Sequence, residues 1–533
     1  MATHPERMNI GVQLFLASTG GAIGVLGFAP IYFWPMEMLS IGVLFALWQR
    51  GEKPSRAFAL GFAWGLGQFV VGVSWIYVSL HDFGGMPMIL AATATLLFCA
   101  YLALYPAFAG LLQHWLTVRF KVAPDIALMV LIPACFVAFE YLRGWIVSGF
   151  PWLSLGYSQT PGGIIAAPLA GYAAILGMYG ISWLLAVSAA IAIWVFTNTG
   201  KSGRKMSRRV MAAVTIAVWS AGLALSHIIW SEPSGKPMKV ALLQGNVEQS
   251  LKWRDDQRAP TLENYRQMIL ASDAALIVMP ETALPDFLSR IPSEYLESLR
   301  EFAVSRHADI LAGVPIAERV DRSDAGDGPQ YHLANSVVSI GASPSQRYDK
   351  QHLVAFGEFV PPLFSWVYRW LKIPLSDFNA RDGVPRPIQL AGHRIAVNIC
   401  YEDAFGREIA AQLPEAELLV NMSNMAWFGR SLAPDQHAQM SQMRSLETSR
   451  WMLRATNTGA TAAINERGEI VKSLPPFTRA TLEIDAQPRA GATLYVGWKD
   501  VPILGWLGFL LLAGIASNFV DRHLAGLSGQ KRS

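Results

Sequence analysis

Cys400 closes the run Arg394-Ile-Ala-Val-Asn-Ile-Cys400-Tyr-Glu402, in which apolar and β-branched residues give way to an acidic pair, Glu402 and Asp403. This is the pattern of a strand turning into a helix, where a thiol can serve as a nucleophile beside backbone N–H donors. A thiol needs help to reach its reactive thiolate, because its unperturbed pKa is about 8.5. Leu276-Ile-Val-Met-Pro-Glu281-Thr supplies a carboxylate just after an apolar run. It can take the thiol proton and later return one to a leaving group. Tyr348-Asp-Lys350-Gln-His-Leu-Val-Ala-Phe-Gly-Glu358 adds an ammonium, which would favour the thiolate and stabilise the oxyanion formed when a carbonyl is attacked. Singly, each has an ordinary explanation: a surface glutamate, a solvated loop lysine, an inert packed cysteine. Taken together, Glu281, Lys350 and Cys400 point to nucleophilic acyl chemistry. His352 invites a Cys–His dyad, but a lone histidine near a loop is more often structural.

The elements that must position these groups can be read from residue 238 to 490. Strands are expected at 239–244, 274–279, 309–314, 335–341, 394–399, 417–422, 452–456, 461–465 and 481–484. Helical patterns fall at about 259–272, 293–307, 404–413 and 434–450. Strands interleaved with helices predict an α/β layered domain, its sheets covered by helices. Repeats and low-complexity stretches are absent, as are Gly-rich phosphate loops, His-Glu-x-x-His and Cys-x-x-Cys. The expectation is therefore a reaction without cofactor or metal.

The rest of the chain is apolar. Of 533 residues, 52% are hydrophobic and only 15% charged, and the mean hydropathy is +0.30, outside the range of an ordinary soluble protein. Segments long enough for about 30 Å of hydrocarbon run at 9–28, 35–49, 57–79, 87–113, 125–143, 165–196, 209–230 and 501–520. The second is short, and the sixth is long enough for part of it to lie along the interface. The first follows Arg7 but lacks a clear small-x-small cleavage site and is read as retained. Basic residues concentrate in alternate loops: Arg50, Lys53 and Arg56; Arg119 and Lys121; Lys201, Arg204, Lys205, Arg208 and Arg209; and Arg522, Lys531 and Arg532. Ala29–Pro35 and Leu80–Pro87 carry no Lys or Arg. That asymmetry places both termini in the cytoplasm and the 238–490 region on the opposite face. The net charge of +4 is then topogenic, and no nucleic-acid partner is expected. Cys99 and Cys135 lie in expected spans, so Cys400 stands without a disulfide partner in the external region. Glu140 and Arg143, at i,i+3 near the external end of the fifth span, are either functional or an anchor for the following loop.

The segments around Glu281, Lys350 and Cys400 resemble the nitrilase superfamily, and the whole chain resembles the apolipoprotein N-acyltransferase family. The resemblance rests on Leu243-Gln-Gly-Asn246 with Lys252-Trp253, Met279-Pro-Glu281-Thr, Tyr348-Asp-Lys350-Gln-His-Leu-Val, Phe356-Gly-Glu358-Phe-Val-Pro361 and Ile399-Cys400-Tyr-Glu402. It continues through Asn421-Met-Ser-Asn424, Ala426-Trp-Phe-Gly429, Arg454-Ala-Thr-Asn457, Gly149-Phe-Pro-Trp152 and Leu155-Gly-Tyr-Ser-Gln159. It implies about eight transmembrane helices carrying an αββα sandwich, with domains at 1–235, 236–490 and 491–533. It also implies Cys400 as nucleophile, Glu281 as general base, Lys350 as charge stabiliser and Glu358 as a supporting carboxylate. Tyr401 and Glu402 would shape the pocket, Trp253 would line the substrate entrance, and Pro361 begins an aromatic arm, 360–371, that would act as an interfacial flap. The partners it implies are a phospholipid acyl donor, typically phosphatidylethanolamine, and a diacylated apolipoprotein acceptor. The setting would be the bacterial inner membrane, with the enzyme monomeric and its catalytic domain in the periplasm. One departure stands out: Met425 occupies a position where the family usually has Asp.

Two other classes remain open on the residues alone. A membrane-anchored amidase could use the same three residues, but would need a water-accessible pocket and no large set of spans. A transporter or scaffold with an inactive domain is the other, against which stand few intramembrane charges, no inverted repeat and an intact set of three.

Overall fold

The computed structural model describes residues 8–51, 53–197, 208–320, 330–360, 378–381 and 383–530. Its contacts group into two compact units: Met1–Tyr77, Pro87–Ile228 and Asp500–Ser533 form one, and Val78–Met86 with Ile229–Lys499 the other.

The first unit is helical: α1 (Ile10–Gly24), α2 (Pro35–Gln49), α3 (Pro54–Gly72), α4 (Met88–Arg119), α5 (Ile132–Arg143), α6 (Ala173–Thr197), α7 (Arg208–Leu225) and, at the C-terminal end, Val501–Gln530. Among the described residues, five helices are long and apolar enough to cross a membrane; a sixth joins them if α3 and the bent turn Ile76–Phe83 make one span. Helix α2, at 15 residues, is too short to count among them, and Val501–Ser517 is a shorter apolar helix. The overlong sixth segment contains a break, since Gly177 sits at φ +66° inside α6. Backbones meet directly where glycines fall: a Cβ on Gly21 would lie 2.0 Å from the Trp64 carbonyl oxygen, the close approach that small residues allow where lipid offers no hydrophobic drive. Glu140 and Arg143 act on the loop that follows them. Glu140 accepts from the Leu155 N–H at 2.7 Å, and Arg143 donates to the carbonyls of Phe150 and Trp152 at 2.6 and 2.5 Å.

The second unit holds two six-stranded sheets. In the first, β1 (Met238–Gln244), β2 (Leu276–Val278), β3 (Asp309–Val320), β4 (Gln330–Gly341) and β5 (Arg347–Asp349) follow in spatial order, and β12 (Ala480–Ala486) pairs with the free edge of β1. The second runs β6 (Ile388–Leu390), β7 (His393–Ile399), β8 (Leu418–Ser423), β9 (Met452–Thr456), β10 (Ala462–Ile464) and β11 (Ile470–Ser473). Each is parallel at its centre, β1–β2–β3 and β7–β8–β9, and antiparallel toward its edges. The period-2 alternation of a strand sends Val240, Leu242 and Val278 to meet Val397, Ile399, Val420 and Leu453 between the sheets. The other face, with Ala241, Leu243 and Ile277, is covered by Leu262, Tyr265 and Met268 of α8 (Asp255–Leu270) and by Leu299 of α9 (Ser293–Ser305). Helix α10 (Ala433–Thr448) is polar by sequence yet buried along its length. The result is an αββα sandwich.

All nine expected strands form, and the helices at 255–270, 293–305 and 433–448 lie within a few residues of expectation. Strands β5, β6 and β11 are additional; at three or four residues they are too short for alternation to register. The expected 404–413 helix is instead a chain of short turns, Cys400–Ala404, Gly406–Ile409 and Ala410–Gln412, interrupted at Phe405, whose φ/ψ of −108°/86° is not helical. The arm at 361–371, Pro361 included, lies outside the described residues.

One glycine ties the fold to the candidate base. A Cβ on Gly313, in β3, would lie 2.4 Å from the Pro280 oxygen and 2.8 Å from the Glu281 Cα. Gly313→Ala is expected to destabilise by about 1–3 kcal/mol and to lower turnover at least tenfold by displacing Glu281. Comparing thermal midpoint with activity of the purified variant checks this, and wild-type turnover would rule it out.

Candidate active site

Four chain segments end at one place, the carboxyl ends of their strands, where α/β sheets place ligand sites. Glu281 follows β2, Lys350 follows β5, Cys400 follows β7 and Asn424 follows β8. The Lys350 ammonium is buried and lies 2.8 Å from Glu358 Oε1 and 3.6 Å from Glu281 Oε1. The Asn335 amide donates to both carboxylates, at 2.7 Å to Glu281 and 2.9 Å to Glu358. The Asn424 N–H holds the second Glu281 oxygen at 2.8 Å, and the Val354 N–H the second Glu358 oxygen at 2.9 Å. Burial works against the Lys350 charge, but Glu358 and Glu281 outweigh it and hold its pKa above the ordinary lysine value. Lys350 is therefore a permanent cation.

Cys400 opens the turn after β7 with φ +53°, a left-handed conformation that costs a non-glycine residue about 1–2 kcal/mol. Burial pushes its thiol well above the usual cysteine pKa and Glu281 adds to this, while Lys350 pulls the other way. The resting thiol is consequently protonated at neutral pH, so attack requires proton removal as the bond forms, and Glu281 is the carboxylate whose charge acts on it most.

Glu402 has a different task from the one its acidic character suggests. Its Oε1 accepts from the N–H groups of Gln351 (2.7 Å) and His352 (3.1 Å), and its Oε2 from Ile399 N–H (2.6 Å) and Tyr348 O–H (2.9 Å). Fully engaged, it clamps the Lys350 loop to the end of β7. Tyr401 packs edge-on against Phe405, with centroids 5.1 Å apart. The His352 ring is stacked on Phe405 at 3.6 Å, with Nδ1 3.1 Å from Glu408, so it serves the turn after Cys400. Trp253 is exposed and neighbours the Lys252 ammonium, 5.9 Å from its ring centroid. Met425 is buried, with its sulfur 3.3 Å from His437 Nδ1. Residue types alone did not single out Asn335, Asn424 or His437, because an amide or imidazole becomes informative only when its neighbours are known.

Lys252 is a second buried lysine beside Glu281. Its Nζ donates to the Glu281 carbonyl at 3.3 Å and to Thr282 Oγ1 at 2.5 Å, bracing a turn in which Thr282 takes φ +47°. Burial draws its pKa down to about 8, against an upward pull from Glu281. Between about pH 8 and the ordinary lysine value of 10.5, the unfolded chain holds a proton here that the folded protein has lost. Stability from this site then rises with pH across that window. The thermal midpoint of wild type relative to Lys252→Met in detergent is expected to increase from about pH 8 to about pH 10; a flat or falling difference would refute this.

The comparisons with known proteins follow this geometry. A profile of the apolipoprotein N-acyltransferase N-terminal domain matches residues 20–191, and a carbon-nitrogen hydrolase profile matches residues 239–493. The chain is similar to the apolipoprotein N-acyltransferase of Nitrosomonas europaea, 45% identical over 519 residues covering 97% of this chain and 99% of the relative. The corresponding protein of Chromobacterium violaceum is 42% identical over 517 residues, covering 96% and 95%. That of Methylococcus capsulatus is 42% identical over 508 residues, covering 94% of each. These matches span both the helical unit and the sandwich and lend no support to the amidase or transporter readings. The chain belongs to the apolipoprotein N-acyltransferase family.

Proposed function

We propose that this protein transfers an acyl chain from a phospholipid to the N-terminal amine of a diacylglyceryl-cysteine on apolipoproteins, through a thioester on Cys400. The observation that carries the reading is the cluster of Glu281, Lys350 and Glu358, whose charges all act on the Cys400 thiol. As the Cys400 sulfur attacks the ester carbonyl, Glu281 takes the thiol proton. Lys350, with the N–H groups that open the turn after Cys400, stabilises the oxyanion. Collapse expels the lysophospholipid, whose leaving oxygen receives the proton back from Glu281. In the second half the lipoprotein amine attacks the thioester, Glu281 takes an amine proton, and the released sulfur is reprotonated. Glu358 keeps the ammonium in place throughout. The donor chain is assigned as sn-1 of phosphatidylethanolamine, by the resemblance.

We read the domains as 1–235, 236–490 and 491–533, with about eight spans in all. The short apolar helices Pro35–Gln49 and Val501–Ser517 would complete the set. Both termini are assigned to the cytoplasm and the sandwich to the periplasmic face of a bacterial inner membrane. The basic loops favour this, and so does the grouping of Val78–Met86, a turn without Lys or Arg, with the sandwich unit. A site at a membrane surface suits two lipid-anchored substrates, because confinement raises their effective concentration. Trp253 is assigned to the entrance, Tyr401 to the pocket wall, and the 360–371 arm to a flap. No cofactor is assigned and a monomer suffices.

Intact mass of the detergent-purified protein after incubation with phosphatidylethanolamine tests the scheme. An added acyl mass is expected on wild type, absent from Cys400→Ala and discharged by a diacylated lipopeptide. Glu281→Gln should lower turnover by at least about a thousandfold. No adduct, with phospholipid left intact, would sink the thioester route.

A further inference from the structure

A histidine of α10 reaches the backbone of the candidate nucleophile from behind. His437 is buried, and its Nε2 lies 3.1 Å from the Cys400 carbonyl oxygen and 2.6 Å from Asp403 Oδ1. Its Nδ1 lies 3.1 Å from Arg454 Nη2. A guanidinium can only donate, so Nδ1 accepts. Nε2 faces two acceptors and so carries the proton. The network therefore places a proton on Nε2. The ring in turn is fixed: Asp403 is held by Arg454 at 2.7 Å and by Ser441 Oγ, and Arg454 also donates to Ser441 Oγ at 2.5 Å. A second donor, Asn421 Nδ2, reaches the same Cys400 carbonyl at 3.0 Å and is itself tied to Asn398 Oδ1 at 2.6 Å.

We propose that His437, locked by Asp403 and Arg454, is a positioning residue for Cys400. With Asn421 it grips the Cys400 carbonyl and keeps this residue in the left-handed conformation that presents its thiol to Glu281 and Lys350. A cysteine gains nothing of its own at φ +53°, and such a conformation persists only where surrounding contacts over-determine it. Two N–H donors on one carbonyl, each anchored by further buried groups, provide that determination. His437 touches neither substrate nor thiol in this role; it acts through the Cys400 peptide.

This inference rests on Cys400 being the nucleophile, and the test separates the two ideas. In full-length protein in detergent, His437→Leu should lower kcat for lipopeptide acylation about a hundredfold, with KM changed less than threefold. The rate of acyl adduct formation and of Cys400 alkylation by iodoacetamide should fall with it. His437→Gln, whose amide can return a donor to the Nε2 position, should recover at least tenfold of the lost rate. Asn421→Leu should produce the same kcat-against-KM pattern, and it carries the test if His437→Leu does not fold. Wild-type kcat and alkylation in folded His437→Leu, or in folded Asn421→Leu, would overturn the proposal. So would a folded His437→Gln no faster than His437→Leu. Full activity in Cys400→Ala would instead overturn the nucleophile assignment itself.

Discussion

Two carboxylates share one buried ammonium, and the remainder of the site is arranged around that constraint. Lys350 lies 2.8 Å from Glu358 and 3.6 Å from Glu281, and the carboxylate oxygens find further partners, because an unpaired buried charge is among the costliest defects a fold can carry. The Asn335 amide comes from β4 and the Asn424 N–H from the end of β8, both distant in sequence, and the Val354 N–H comes from the Lys350 loop itself. Burial and Glu281 raise the Cys400 thiol pKa while Lys350 pulls it down, so the sulfur becomes strongly nucleophilic only as its proton leaves.

The sandwich exists to make that cluster rigid. The two sheets press Val240, Leu242 and Val278 against Val397, Ile399 and Val420. A dry, close-packed interface of this kind transmits position faithfully. Glu402 then bolts the loop of one sheet to a strand end of the other through four hydrogen bonds. Beneath Glu281, the missing side chain of Gly313 leaves room for the turn. Behind Cys400, the polar buried helix Ala433–Thr448 carries the imidazole that faces its carbonyl.

The helical unit follows a different solvent. Its helices approach closely where glycines fall, and Glu140 and Arg143 are spent on the backbone of the loop 150–155. An interior of this kind, with an apolar exterior, belongs in a bilayer, where backbone groups must be satisfied within the protein. Family membership joins this unit to the sandwich across nearly the full length of the chain.

Sequence alone determined the apolar helices and the strands carrying period-2 or continuous apolar runs, and it marked Glu281, Lys350 and Cys400 as candidates. These are local signals, written in residue type and spacing. It also supplied Glu358 and Glu402, but without their division of labour: one holds an ammonium, the other clamps backbone. Tertiary structure decided what depends on neighbours distant in sequence. Asn335 matters because β4 pairs Ser336 with Asp349, which brings its amide beside Lys350. The expected helix after Cys400 became a series of short turns, broken at Phe405, whose φ/ψ of −108°/86° is not helical. His437 was invisible in the sequence for the same reason: an imidazole has no distinctive role until a carbonyl and a carboxylate from the Cys400 turn and a guanidinium from β9 surround it.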